Sequence, residues 1–108
     1  MKKFLVMFSV MFTLIFFGNT AQAYNYDVGV YPEGAMRGYL MTETVRVDRY
    51  NGTFSCTVVV YPNGRPYYID YYFWLNGGYF YFRNSDGYSE RVDSYRTPVE
   101  YNVYRYVW

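Results

Sequence analysis

The sequence predicts an all-β fold: a single small antiparallel meander, closed into a barrel-like form or folded as a sandwich, preceded by a helical signal peptide. Three observations predict it. After residue 23 the apolar residues alternate with period two in short runs. Turn residues split those runs, and Asn51-Gly52 is the sharpest hairpin signal among them. The composition is that of strands, with 17 Tyr, 9 Phe and 2 Trp in 108 residues.

The first element is an export signal over residues 1–23. Lys2 and Lys3 precede an apolar run from Phe4 to Phe17, interrupted only by Ser9 and Thr13. Gly18 and Asn19 end it, and Ala21-Gln22-Ala23 supplies the small residues a signal peptidase reads. The run is shorter than the roughly 20 residues a membrane-spanning helix needs. The next basic residue, Arg37, is too far away to stop transfer. The expectation is cleavage after Ala23 and no retained transmembrane helix. The protein is then exported to the periplasm, the cell surface or the exterior, and the signal looks bacterial.

Residues 24–108 form one domain. A chain of this size hides only about 60% of its unfolded surface, so it must gain much per residue. All the Tyr, both Trp and Phe54, Phe73, Phe80 and Phe82 lie here. The basic residues are Arg without Lys, nearly balanced by the acids. Such a balance gives no basic field for nucleic acid. Arg packs flat on aromatic rings, so Arg–Tyr stacks are expected. Cys56 is the only cysteine and cannot close an internal disulfide. Phe54, Val58 and Val60 share its strand face, so it reads as a buried thiol rather than an intermolecular bridge.

The strands follow in order. Tyr26, Val28 and Val30 alternate with Asp27, Gly29 and Tyr31, and Pro32-Glu33-Gly34 turns the chain. Gly38–Met41 is a short strand or a bend. Thr44–Tyr50 and Thr53–Tyr61 flank Asn51-Gly52. A two-residue type I′ turn there pairs Tyr50 with Thr53, Val47 with Cys56 and Val45 with Val58. Pro62–Pro66 is a turn, Tyr67–Leu75 a strand, Asn76-Gly77-Gly78 a reversal, and Tyr79–Arg83 the return. Asn84-Ser85-Asp86-Gly87 turns into Tyr88–Arg96, and Val99–Trp108 is the last strand. That makes six or seven strands.

Chemistry is sparse. The chain has no His, which removes the commonest general base and the usual triads. The lone thiol therefore lacks a basic partner. Asn84–Gly87 has residue types of a calcium loop, but Glu90 and Asp93 are out of pattern, and a tight turn demands the same types. No enzyme activity, cofactor or metal is expected. A small hydrolase pairing acids such as Asp70 and Glu90 is the least favoured reading.

Residues 67–75 are the most informative. Tyr67, Ile69, Tyr71, Phe73 and Leu75 share one face, and Tyr68, Asp70, Tyr72 and Trp74 the other. One face can supply the core. The other is a closed second layer or a contact surface, because Tyr and Trp give large rigid area at low entropic cost. Tyr68, Tyr72 and Trp74 are the candidate contact row. At the C-terminus, Tyr104, Tyr106 and Trp108 alternate as in the closing strand of an outer-membrane barrel. Such barrels need at least eight strands of about 9–11 residues, which this chain hardly provides.

Tyr39-Leu40-Met41-Thr42-Glu43-Thr44-Val45-Arg46-Val47 resembles the start of small exported bacterial domains of the surface-adhesin-E-like type. Asn84–Gly87 and Pro98-Val99 fall where such domains have a turn and a final strand. Met41–Thr44 stands where the family has Asp and Ser, and one Cys replaces the pair of several members. The resemblance implies an envelope or surface location and adhesion. The expected function is a non-enzymatic binding or adhesin-like module with a protein or glycan partner. The alternative is a structural envelope subunit that self-associates as a homo-oligomer through its sheet edges.

Overall fold

The structure, a computed structural model, describes residues 24–108; the expected signal peptide and the expected cleavage after Ala23 lie outside them. Six antiparallel strands form one sheet in sequence order: β1 (Asn25–Val30), β2 (Arg37–Asp48), β3 (Thr53–Val60), β4 (Tyr67–Asn76), β5 (Tyr79–Asn84) and β6 (Ser89–Arg91). The meander is therefore as expected. It is neither a closed barrel nor a sandwich: the sheet curls into half a barrel, and one helix, α1 (Pro98–Val107), packs on its inner face. Among the described residues no helix is long and apolar enough to cross a membrane.

The hairpin at Asn51-Gly52 forms, with a different register. Asp48 pairs with Thr53 and Val47 with Phe54, so the loop has four residues, Arg49–Gly52. Asp48 explains the longer loop. Its carboxylate accepts the Asn51 backbone N–H at 3.1 Å and the Asn51 side-chain amide at 2.7 Å. Only Gly52 takes a positive φ, 68°, whereas a type I′ turn needs two such residues. The expected register differs by two residues. That keeps every side chain on its face, so alternation could not separate the two.

Gly38–Met41 and Thr44–Asp48 belong to one long strand with an irregularity between Met41 and Arg46. The Thr44 hydroxyl repairs the ladder there: it donates to the Met41 carbonyl at 2.6 Å and accepts the Thr57 N–H at 2.8 Å. The extra residues reverse the phase of the strand. Leu40, before them, and Val45, after them, both pack on the core. A second irregularity sits at Val28, where Gly29 has φ 100° and the Asn102 amide donates to the Val28 carbonyl at 2.8 Å.

The C-terminal segment is the main correction: in place of the strand expected over Val99–Trp108, Pro98–Val107 is a helix. Tyr88–Arg96 likewise contributes only the three-residue β6 and then a turn. Pro98 occupies the first helical turn, where its missing N–H costs nothing. Val99, Val103 and Val107 are spaced by four and all buried. Beyond them Trp108 lies 4.9 Å from Phe80 and 6.1 Å from Phe54, ring to ring. Arg49 closes the helix end, donating to the carbonyls of Val107 at 3.1 Å and Trp108 at 3.3 Å. A cation there also complements the helix dipole.

The core lies between α1 and the inner sheet face. Phe54 and Phe73 stack at 4.3 Å at its centre, and Leu40, Val28, Val58 and Val99 are fully buried around them. The expected Arg–Tyr stacks are present, Arg83 on Tyr72, Arg91 on Tyr79 and Arg105 on Tyr101, and Arg49 lies over Trp108, all at 4.6–5.8 Å.

Candidate functional site

β4 divides its residues as the alternation requires. Ile69, Tyr71 and Phe73 point into the core, and Tyr68, Asp70, Tyr72 and Trp74 point outward. Tyr68 is 54% and Tyr72 37% exposed, and Trp74 is half-buried. Tyr72 and Trp74 stack at 5.9 Å. The sheet adds two residues that sequence reasoning missed. Trp74 pairs with Tyr81 across β5, with rings 6.0 Å apart and 16° from parallel. Tyr72 pairs with Arg83, whose guanidinium sits 4.9 Å over its ring. The outward face thus carries a continuous row, Tyr81–Trp74–Tyr72–Arg83. Hairpin arithmetic from the Gly77-Gly78 reversal, where both residues have positive φ, would have found these partners.

Tyr68 stands apart from that row. Asp70 separates it from Tyr72 and is held by the Thr57 hydroxyl at 2.8 Å. Four strand residues span about 13 Å, so Tyr68 and Tyr72 serve one contact only if the partner is extended.

The paired-acid arrangement is not made. Asp70 faces outward, whereas Glu90 pairs with the buried Phe82 on the inner side and meets Arg96 at 3.2 Å. The sheet separates the two carboxyls. Asn84–Gly87 is a turn. The Asn84 side chain accepts the N–H groups of Asp86 at 3.0 Å and Tyr88 at 3.1 Å, and Gly87 has φ 93°. Among the described residues no group of three or more potential ligands is arranged for a metal ion. Cys56 is buried, and burial, seconded by the charge of Asp70, pushes its thiol up to about 12. It is protonated at neutral pH and a poor nucleophile.

The inner face has a feature of its own. α1 leaves part of the curled sheet uncovered, and a cavity of about 330 Å³ opens beyond the helix N-terminus. Its floor is Val60, Ile69 and Phe82, and the rings of Tyr31, Tyr67 and Tyr88 line its walls. At its inner end a buried chain runs from the Tyr31 hydroxyl to Tyr71 at 2.8 Å. Tyr71 donates onward to Glu100 Oε2 at 2.5 Å. Burial raises both phenols well above the usual tyrosine range and raises the Glu100 carboxyl above its ordinary value.

Comparison with protein-family models, curated proteins and solved structures gives no match.

Proposed function

We propose that this protein is a non-enzymatic binding module of the cell envelope or exterior, making contact through the outward face of β4 and β5. The observation that carries the reading is the solvent-facing row Tyr81–Trp74–Tyr72–Arg83. Each of its strands is anchored from behind by Phe73, Phe80 and Phe82. A rigid aromatic strip on a fixed sheet loses little entropy on contact and presents ring surface to the apolar faces of a sugar or to apolar side chains. The export signal expected over residues 1–23 supports an exported position, and the surface-adhesin-E-like resemblance of residues 39–47 points the same way. The partner is a protein or a glycan.

The test is an array of glycans and envelope proteins probed with the purified protein and with Tyr72→Ala and Trp74→Ala. Binding that both substitutions reduce by tenfold or more supports the reading. Binding indifferent to both removes it.

One observation favours self-association as a second reading. The sheet is not closed, so β1 and the three-residue β6 leave two edges able to pair with another chain. Sedimentation of a monomer at high concentration would eliminate it.

A further inference from the structure

We propose that the inner cavity is a second binding site, separate from the outward aromatic row, and that it takes a compact organic cation with an apolar body. Three features of the cavity set that chemistry. Its volume, about 330 Å³, falls in the range of small-molecule pockets. Its floor is apolar and three tyrosines line it, which suits an apolar body and offers aromatic surface to a cation. Its charge is one-sided: Glu33, Asp86, Glu90 and Glu100 line it against Arg96 alone.

The polar contacts sharpen the assignment. Arg96 is held by Glu90 at 3.2 Å, so those two charges offset each other. Glu33 and Asp86 then dominate the field at the mouth. Asp86 Oδ1 accepts the Tyr67 hydroxyl at 2.6 Å, which fixes the carboxylate against one aromatic wall. Glu100, 6% exposed, lies at the inner end. One of its oxygens accepts from Tyr71, and the carboxylate also accepts the Glu100 backbone N–H. An N–H or N-alkyl cation reaching this end meets an acceptor already oriented by Tyr71 and Tyr31. An anion meets net negative charge throughout. A bare metal ion finds the carboxylates too dispersed to coordinate it together.

The experiment compares three probes that share one body: phenethylammonium, 2-phenylethanol and phenylacetate. They are titrated into the purified protein by calorimetry at low salt, with tyrosine chemical shifts as a second readout. The expected order is ammonium well above alcohol, by about tenfold or more, and phenylacetate without measurable binding. Glu33→Gln and Asp86→Asn should each weaken the ammonium by about fivefold, whereas Glu43→Gln, which removes the same charge away from the cavity, should not. The substituted acids stand at the mouth of the cavity, and a thermal melt confirms folding of each variant. Equal affinity for ammonium and alcohol, no saturable binding of the ammonium, or equal weakening by Glu43→Gln would overturn the proposal.

Discussion

β4 and α1 have similar compositions and opposite structures. Tyr67–Asn76 and Pro98–Val107 are both dense in Tyr, both carry a single acid, and both alternate aromatic with other residues over part of their length. One is a central strand of the sheet and the other is the helix that packs on the sheet's inner face. What separates them is where the buried apolar residues fall. In β4 the core residues are Ile69, Tyr71 and Phe73, at spacing two. In α1 they are Val99, Val103 and Val107, at spacing four. The alternating Tyr104, Tyr106 and Trp108 do not form one face of the helix. Trp108 packs on Phe80, while Tyr106 reaches the other side to Tyr26 at 4.4 Å and to the Tyr24 hydroxyl at 2.7 Å. An amphiphilic residue such as Tyr is compatible with either period, so small apolar residues are the better guide.

The comparison can be broken most severely in the strand. Phe73→Ala removes a ring with no solvent exposure that packs on Phe54, Tyr71 and Phe82, and should cost about 3–5 kcal/mol in chemical denaturation. A loss below 1 kcal/mol would mean the core is not centred there.

On the helix, Val103→Ala should cost about 2 kcal/mol, from lost apolar burial and the cavity left behind. Tyr104→Ala, on a side chain only partly buried, should cost less. The reverse order would restore an alternating strand-like reading of this segment.

Glu100→Gln sharpens the comparison through pH. Burial raises the native carboxyl pKa, so the native state binds the proton more tightly than the unfolded chain. Its favourable contribution is fully present below the unfolded carboxyl value of about 4.3 and is lost as pH rises through the higher native value. The amide cannot ionise and still accepts from Tyr71. The variant should therefore melt above the parent at pH 7, and the gap should close below about pH 4. A gap that does not change with pH would refute the assigned burial of charge.

The smallest effect belongs to the outward row. Tyr72→Ala should change stability by less than about 1 kcal/mol, since the ring is exposed and, among the described residues, stacks only with Trp74 and Arg83. Paired with Phe73→Ala, it measures how differently neighbouring residues of one strand serve the fold.

The sequence by itself determined the meander, the positions of its reversals, the two faces of β4 and the burial of Cys56. Each of these follows from local rules: alternation assigns faces, and Gly, Asn and Pro mark where the backbone must turn. The signal for the helix was also local, in Pro98 and the valines at spacing four, but the tyrosines at spacing two masked it. Tertiary structure alone decided the rest. The hairpin register depended on whether Asp48 would hold Asn51, and both registers satisfy the same faces. Closure depended on whether the sheet would meet its own edge or accept a helix. The helix fills the inner curve with valines and Trp108, which removes the need for a second sheet. The cavity arises where that helix begins, from residues 31–36, 60–69, 82–90 and 96–100. No local pattern marks such a place, because it exists only once distant segments share one surface.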